Sequence, residues 1–276
     1  MKRLHDQTVL VTGASRGIGR AIALAAARAG ATLVIAAKTA EPHPKLPGTI
    51  HTVAEEVRAL GVRALPLQVD VRDESQIAAM LAAVEKEFGR LDALINNAGA
   101  IQLTDVANTP VKRYDLMQQV NARAVFVCAK AALPLLRRAG GGHLISLSPP
   151  LNLQAKWLAP HAPYTLSKYG MTLLSLGMAG EFAPDKISVT TLWPRTIIAT
   201  AAIEFAVGAR LLPHCRTPDI MADAALEILA TTDQSLTGQS LLDEDFLRTR
   251  GWTDFHRYAH DPAGADRLFP DLFVDH

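Results

Sequence analysis

Residues 8–19 read TVLVTGASRGIG, a short β-branched run followed by a glycine-rich turn. Thr8–Thr12 has the composition of a buried strand, and the alanine-rich stretch from Gly17 to Ala29 predicts a helix directly after it. Glycines let the backbone turn tightly and approach a phosphate, whose charge a helix N-terminus stabilises. In this strand–turn–helix context the stretch predicts a nucleotide-binding turn, with a purely structural turn as the alternative.

Outward from this stretch, short apolar runs alternate with longer helical stretches. The predicted strands are residues 8–12, 31–37, 62–69, 91–95, 143–147, 187–192 and 239–242, and the predicted helices are 17–29, 74–88, 112–138, 164–182 and 218–230. Apolar runs without alternation are typical of strands buried on both faces, and repeated strand–helix units predict a parallel sheet with right-handed crossovers. The sequence therefore predicts one α/β domain over residues 1–276, a doubly wound parallel sheet of about seven strands with helices on both faces (a Rossmann fold).

The composition excludes several classes of protein. Lys plus Arg is 28 and Asp plus Glu is 27, so the net charge of +1 argues against a dedicated nucleic-acid or anionic-membrane binder. The two cysteines, Cys128 and Cys215, form no CxxC motif and predict buried thiols in the reducing cytoplasm. His256 and His260 are four residues apart with no evident third ligand, so no metal site is expected.

A second motif, Asn96-Asn97-Ala98-Gly99, follows another predicted strand. Ligands of an open parallel sheet bind beyond the carboxyl ends of its strands. The asparagines suit polar contacts with a cofactor, and the small residues after them allow close approach. A simple turn is the alternative.

Tyr164 and Lys168 share one face of a predicted helix. A free tyrosine has a pKa of about 10, and lowering it by two to three units requires roughly 3–4 kcal/mol. A positive charge about 4 Å away contributes about 4 kcal/mol at an effective dielectric near 20. Lys168 is therefore sufficient to make Tyr164 an acid–base catalyst, although the pair alone is more typical of an ordinary amphipathic helix.

The TGxxxGxG, NNAG and YxxxK motifs together resemble the short-chain dehydrogenase/reductase family of the classical type, over about residues 6–245. The resemblance implies a nicotinamide cofactor whose C4 exchanges hydride with the substrate carbon, while Tyr164 exchanges a proton with the substrate oxygen. It implies that Lys168 binds the nicotinamide ribose and lowers the pKa of Tyr164, that Asn121 supports a proton-relay water, and that Asp70 lies near the adenine. The expected cofactor-binding residues are Gly13, Ala14, Ser15, Arg16, Gly17, Ile18, Gly19, Lys38, Asp70, Asn97, Ala98, Gly99, Tyr164, Lys168 and Thr196.

The serine that contacts the substrate oxygen departs from the family pattern. In the family it commonly lies about thirteen residues before the tyrosine, where this sequence has Leu151. Ser148 is the expected catalytic serine because three extra loop residues would keep it at the strand end. Ser146 and Asn152 are the alternatives.

A second departure is Pro194-Arg195, where the family has Pro-Gly. An arginine lacks the backbone freedom of glycine. We therefore expect the nicotinamide-side loop at residues 196–200 to be shaped differently.

Three stretches are similar to the hydroxysteroid dehydrogenase-like subgroup of the family: residues 148–153, residues 164–171 and residues 192–196. Some members of that subgroup are peroxisomal and carry a sterol-carrier domain. This sequence ends at Val274-Asp275-His276 with neither such a domain nor an SKL-type address, so a cytoplasmic protein is expected. The resemblance names no physiological substrate.

The end of the second strand predicts the cofactor. NAD-specific Rossmann enzymes place an acidic residue there to bind the ribose 2′-OH. This strand ends in Ala36-Ala37-Lys38, and Arg16 lies in the glycine-rich turn. Both cations would attract a 2′-phosphate. The sequence therefore predicts NADP(H), with NAD(H) as the alternative and two solvated cations as the other interpretation.

Two segments interrupt the alternation of predicted strands and helices. Residues 38–50 hold three prolines and predict either a plain surface loop or a loop beside the cofactor or substrate mouth. Residues 241–276 carry six of the fifteen aromatic residues, so we expect them to pack on the domain or on a partner subunit. The family resemblance implies a homodimer or homotetramer formed through the helices that begin near Lys112 and Tyr164.

The sequence thus predicts an NADP(H)-dependent oxidoreductase that interconverts an alcohol and a carbonyl on an apolar small molecule. A reductase acting on an acyl or isoprenoid carbonyl is an alternative within enzymes. A catalytically silent NADP(H)-binding sensor or scaffold is the alternative from another class, and the intact Asn121, Tyr164 and Lys168 argue against it.

Overall fold

The computed structural model describes residues 3–44 and 46–275, with all their side chains except those of residues 206 and 207. Its strands are β1 Thr8–Thr12, β2 Thr32–Ala37, β3 Ala64–Gln68, β4 Ala93–Asn96, β5 Gly142–Ser146, β6 Ile187–Trp193 and β7 Ser240–Leu242. They form one seven-stranded sheet in the order β3-β2-β1-β4-β5-β6-β7, and every neighbouring pair is parallel. The predicted doubly wound parallel sheet is confirmed, and its strand order reverses between β1 and β4.

The helices connect these strands on both sides of the sheet. They are α1 Gly17–Arg28, α2 Ile50–Ala59, α3 Glu74–Phe88, α4 Val111–Gln118, α5 Ala124–Arg138, α6 Ala155–Leu158, α7 Ala162–Phe182, α8 Ala201–Val207, α9 Asp219–Leu229 and α10 Asp243–Thr249. A π-helical turn, Gln119–Arg123, lies between α4 and α5. The predicted helix at 112–138 is therefore two α-helices joined through this turn.

Alternating side chains of each strand enter two different cores. Val9 and Val11 of β1 pack with α1 and α9 on one face, whereas Leu10 packs with α3, α5 and α7 on the other. Successive side chains of a strand point to opposite faces, so a strand covered on both sides must be apolar throughout. This explains the unbroken apolar runs of the sequence.

Local signals set the ends of the helices. The Asp73 carboxylate accepts the N–H groups of Ser75 and Gln76 at the start of α3, and Gly89 ends this helix with a φ of 72°. Most other predicted bounds differ from the observed ones by one or two residues. The helix α2 and the short helices α6, α8 and α10 are absent from the predicted set.

No helix in the described part of the chain is both long enough and apolar enough to cross a membrane.

Candidate active site

The glycine-rich turn joins β1 to α1 beside the point where the strand order reverses. Gly13 and Gly17 have φ values of 66° and 55°, which side-chain-bearing residues rarely adopt. A Cβ on Gly13 would lie only 2.9 Å from the Cα of Ala98. No side chain of the described residues caps α1, and its first turn has no acidic residue. This helix N-terminus is therefore suited to bind an anion.

Thr12 holds the NNAG motif against the glycine turn. Its hydroxyl accepts the backbone N–H groups of Asn97 and Ala98 at 3.1 Å each and donates to the carbonyl of Ile95 at 3.2 Å. The Asn97 side-chain amide donates to the carbonyls of Thr12 and Gly13 at 2.8 and 3.1 Å. The two predicted cofactor motifs are thus brought together as one wall.

Asp70, expected near the adenine, is hydrogen-bonded to Arg72, which was not among the predicted site residues. Nε of Arg72 donates to the Asp70 carboxylate at 2.9 Å, and this contact lowers the pKa of Asp70 to about 2. Nζ of Lys38 lies 3.5 Å from the same carboxylate, on a side chain that is 68% exposed. Lys38 therefore already has an acidic neighbour where a free cation was expected. The Asp-x-Arg spacing is the signal that identifies Arg72.

Arg16 is held by the loop at residues 38–50. Its Nε donates to the carbonyl of Pro47 at 2.9 Å and its Nη2 to the carbonyl of Gly48 at 3.1 Å. A Cβ on Gly48 would collide with the carbonyl oxygen of Ser15. Of the two interpretations of this loop, the structure shows the one in which it lies beside the glycine turn; residue 45 lies outside the described part of the chain.

Tyr164 and Lys168 are both buried in the first two turns of α7. Nζ of Lys168 donates to the carbonyl of Leu147 at 2.6 Å and lies 5.0 Å from the centre of the Trp193 ring. Among the described residues the Tyr164 hydroxyl has no hydrogen-bond partner.

The expected lowering of the tyrosine pKa is not observed in this structure. Burial raises the pKa of Tyr164, and the Asp271 carboxylate raises it further. Burial also lowers the pKa of Lys168 to about 7, while Asp271 opposes this effect. The role of Lys168 in lowering the pKa of Tyr164 stays a prediction, since both groups are desolvated here and a carboxylate lies near them.

Asn121 lies in the π-helical turn and joins two parts of the site. Its Oδ1 accepts the N–H of Ala100 at 2.8 Å, and its Nδ2 donates to the carbonyl of Ala100 at 3.0 Å and to the Ser167 hydroxyl at 2.8 Å. Ser167 in turn donates to the carbonyl of Tyr164 at 2.7 Å. Such π-turns occur frequently at functional sites, and this one fixes the loop after β4 against α7.

The candidate serines are buried and bonded away from Tyr164. The Ser148 hydroxyl accepts a bond from Thr172 at 3.0 Å, and Ser146 is paired with Ser175 at 3.0 Å. Thr172 lies eight residues after Tyr164, about 12 Å further along the helix axis. Both serines are therefore bonded to residues of α7 that follow Tyr164, and the contact of Ser148 with the substrate oxygen stays a prediction.

The loop after β6 pairs with the chain's last described residues, 269–275, which we call the tail segment. The N–H of Ile197 donates to the carbonyl of Phe269 at 3.0 Å, and the N–H of Asp271 donates to the carbonyl of Arg195 at 3.0 Å. Oγ1 of Thr196 is buried without a hydrogen-bond partner in the described chain. The side chain of Thr200, at the start of α8, lies beside Gly17.

Phe273 of the tail segment covers Tyr164. The two rings are nearly parallel, with centroids 6.4 Å apart and an interplanar angle of 24°. Five aromatic rings lie within 6.4 Å of Phe273, and we call them the aromatic cage: Trp157, His161, Tyr164, Tyr169 and Trp193. The aromatic content of residues 241–276 predicted packing but not this contact, because no local pattern signals it.

A tail carboxylate anchors this arrangement at the surface. The side chain of Asp275 accepts bonds from Nδ2 of Asn152 and Nε2 of Gln154 at 2.8 Å each, and its Oδ1 lies 2.5 Å from Nζ of Lys156. The alternative candidate Asn152 is therefore bonded to the tail segment.

The fold, the glycine turn with its asparagine wall, and the buried Tyr–Lys pair together define a short-chain dehydrogenase. The sequence profile described as short chain dehydrogenase matches residues 7–206, and the chain belongs to that family. Proteins of this family bind NAD(P) and are dehydrogenases or reductases.

The chain is also similar to particular proteins and solved structures of this family. The chain is 50% identical over 273 residues to hydroxysteroid dehydrogenase-like protein 2 from Homo sapiens, which covers 99% of this chain and 64% of that relative. The chain thus spans somewhat less than two thirds of that relative's length. Among solved structures, it is similar to a putative dehydrogenase from Xanthomonas campestris (50% identity, 99% of both chains, TM-score 0.94). It is also similar to a short chain dehydrogenase from Mycobacterium thermoresistibile (42% identity, 99% of this chain and 96% of that one, TM-score 0.91).

The residues present fit a dinucleotide. The close approach of Gly13 to Ala98 leaves no room for a side chain, and the uncapped start of α1 suits a pyrophosphate. The buried, unpaired Oγ1 of Thr196 offers a polar partner on the nicotinamide side.

Proposed function

We propose that the chain is an NADP(H)-dependent oxidoreductase that interconverts an alcohol and a carbonyl on an apolar small molecule. One observation carries the proposal: Tyr164 and Lys168 lie together, buried in aromatic surroundings, at the carboxyl ends of β5 and β6. A parallel sheet binds its ligands at this edge. The name of the human relative refers to hydroxysteroids, and steroids belong to the apolar substrate class proposed for this chain.

In this proposal Tyr164 moves the proton. Its raised pKa keeps the hydroxyl protonated at neutral pH, which is the form that donates a proton to a carbonyl oxygen during reduction. The nicotinamide, when bound, supplies or accepts the hydride. Lys168 binds the nicotinamide ribose, and Asn121 fixes the loop at Ala100 against the tyrosine's helix turn. Ser148, whose hydroxyl accepts a bond from Thr172 and keeps its own O–H to donate, contacts the substrate oxygen.

Tyr164→Phe tests the assignment. The change removes only the hydroxyl, so turnover should fall about 100-fold or more while the cofactor dissociation constant stays within twofold. Tyr114→Phe, at an exposed tyrosine on α4, is the matched control. Steady-state rates and fluorescence titration of NADPH measure the two quantities. More than a tenth of wild-type activity in Tyr164→Phe would contradict the role, and Lys168→Ala should lose both rate and cofactor affinity.

A catalytically silent NADP(H)-binding sensor is the second candidate, because Phe273 lies on Tyr164 and the tyrosine hydroxyl is unbonded in the described chain. NADPH fluorescence with a panel of alcohols and carbonyls distinguishes the two functions. Cofactor binding with no turnover of any compound, in the wild type and in variants that release the tail segment, would favour the sensor.

We also propose NADP(H) as the preferred cofactor, with NAD(H) as the alternative. Lys38 and Arg16 are the supporting residues. Cys128 and Cys215 are free and buried, which supports a reducing location such as the cytoplasm.

A further inference from the structure

The tail segment fills the space above Tyr164 in the way that a ligand would. Phe273 is only 1% exposed. Its φ of 71° lies in the left-handed region, where a bulky side chain is an outlier. The surroundings of the ring therefore hold its backbone in an unfavourable conformation.

The walls of this space come from separate elements of the domain. Two of them also bond to the tail segment outside the Phe273 ring, since Nε1 of Trp157 donates to Asp275 at 3.3 Å and Nε1 of Trp193 donates to the carbonyl of Leu272 at 2.9 Å. Trp157 belongs to α6, Tyr164 and Tyr169 belong to α7, and Trp193 ends β6. The Trp157 carbonyl accepts the Thr165 hydroxyl at 2.9 Å, which fixes α6 on α7. Removal of the Phe273 ring would therefore leave an apolar recess with Tyr164 as one wall.

A second ring of the cage, besides Tyr164, carries an unsatisfied polar atom. Nε2 of His161 is buried and has no hydrogen-bond partner within the described chain, and the His161 ring lies 5.9 Å from Phe273 and 6.4 Å from Tyr164. A buried polar group without a partner is unfavourable. The benzyl side chain of Phe273 cannot supply that partner, whereas a ring that carries an oxygen can.

We propose that the aromatic cage is the substrate subsite for a flat apolar ring bearing a carbonyl or hydroxyl oxygen, and that Phe273 occupies this subsite when no substrate is bound. The oxygen of such a ligand is shared between the Tyr164 hydroxyl and Nε2 of His161. Burial lowers the pKa of His161, so its ring is neutral at pH 7 and a neutral oxygen is its matching partner. This inference rests on the proposed function, because it names the substrate class of the same site.

The surface contacts of Asp275 give a mild way to release the segment. They lie on a side chain that is 40% exposed, and one of them comes from Nε1 of Trp157 at 3.3 Å, so their removal frees the segment without removing a buried side chain. Because Phe273 competes with the ligand, any change that loosens the tail segment must strengthen ligand binding.

Acetophenone is the probe, and tryptophan fluorescence without cofactor is the readout, since Trp157 and Trp193 form two walls of the cage. Phe273→Ala should bind acetophenone at least tenfold more tightly than the wild type, and Asp275→Ala should show a smaller gain. Phe255→Ala, which removes an equally buried ring outside the cage, is the control and should leave the affinity within twofold. The affinity for acetone, which has no ring, should be the same in every variant as in the wild type.

His161 is tested in the same background. In Phe273→Ala, the added change His161→Phe should weaken acetophenone binding about fivefold or more and leave ethylbenzene, which has the ring but no oxygen, within twofold. Equal losses for both probes would overturn the role of His161.

Wild-type affinity for acetophenone in both Phe273→Ala and Asp275→Ala would overturn the subsite. If Phe273→Ala fails to fold, Asp275→Ala alone decides. Tighter binding without turnover of acetophenone or any other carbonyl supports the subsite and contradicts the proposed function. Turnover with unchanged affinity in the variants contradicts the subsite and leaves the proposed function standing.

Discussion

Asp243 has a fully buried carboxyl group whose pKa is raised. Its Oδ1 accepts the N–H groups of Arg195 and Glu244 at 2.8 and 2.6 Å, and its Oδ2 has no partner in the described chain. Burial raises the pKa of Asp243 from 3.8 to about 7. Between about pH 4 and 7 the folded chain therefore holds a proton that the unfolded chain has released. The free energy of unfolding must fall as the pH rises through this window.

Asp243→Asn keeps the accepting oxygen and removes this titration. At pH 8 the variant should be more stable than the wild type by up to about 4 kcal/mol, since about three pKa units correspond to 1.36 kcal/mol each. Its stability should also change less between pH 5 and pH 8. Urea unfolding at the two pH values measures both effects, with the exposed Asp245→Asn as the control. A variant with the wild-type pH dependence would show that Asp243 is ionised throughout.

The proposed preference for NADP(H) depends most directly on Lys38. Lys38→Ala should weaken NADPH binding about tenfold and leave NADH binding nearly unchanged, because a charge-assisted contact contributes roughly 1.5–3 kcal/mol. The lower end applies since Asp70 lies 3.5 Å from Nζ of Lys38. Fluorescence titration at low salt measures the constants, with Lys86→Ala as a surface control. Equal wild-type affinities for NADPH and NADH would refute the preference.

At the scale of elements, an ion pair fixes α10 to the loop after β6. Arg216 and Glu244 are both buried and bonded to each other, and the N–H of Arg216 donates to the carbonyl of Ile197 at 2.9 Å. Breaking a buried pair leaves an uncompensated charge and typically costs about 3–5 kcal/mol.

Glu244→Ala should therefore lower the free energy of unfolding by about 3–5 kcal/mol, measured by urea unfolding at pH 7. Arg3→Ala breaks the exposed pair with Glu227 and should change it by less than about 1 kcal/mol. Similar small losses in both variants would mean that the buried pair contributes no more than a surface pair.

The sheet was predictable because each strand is apolar on both faces and each is followed by a turn signal. The short helices were not, since they depend on single contacts. Thr200 caps α8 through the N–H of Ile203, and α10 depends on the buried Glu244. The π-turn at Asn121 could not be predicted either, because Asn121 bonds to Ala100 and Ser167, which lie on other elements.

The candidate site also has features that could be predicted from the sequence and features that could not. The glycine turn and the NNAG motif are local backbone features, and their position could be predicted from the sequence. The pKa shift of Tyr164 could not, since its direction depends on burial and on Asp271, which is distant in sequence. The aromatic content of residues 241–276 predicted packing, and Phe246, Phe255, Tyr258 and Phe273 are buried. It did not predict which of these rings would reach the tyrosine.

On the scale of the whole molecule, the packing supports the proposal of one domain over residues 1–276. Phe246 and Leu247 of α10 enter the same core as α1 and α9, and the tail segment packs on α7. Residues 241–276 are proposed as an extension that completes this domain and one wall of its site; His276 lies outside the described residues.

Exposed apolar side chains indicate where a second copy would bind. Leu166 and Leu173 of α7 are 56% and 58% exposed and are one heptad apart, so they lie on the same helix face. Phe126 of α5 is also half exposed. Burying large apolar side chains contributes about 1.5–3 kcal/mol each, which gives a free-energy reason for these helices to associate. We propose a homodimer or homotetramer formed through α5 and α7.

Leu166→Asp combined with Leu173→Asp should separate the subunits, because a carboxylate in a closed apolar contact is strongly unfavourable. Light scattering after size exclusion should give a multiple of 29.7 kDa for the wild type and 29.7 kDa for the variant. Val106→Asp, at a side chain 72% exposed outside these helices, is the matched control and should keep the wild-type mass. A wild-type mass of 29.7 kDa across the micromolar range would contradict the assembly, and an unchanged multiple in the double variant would place its interface elsewhere.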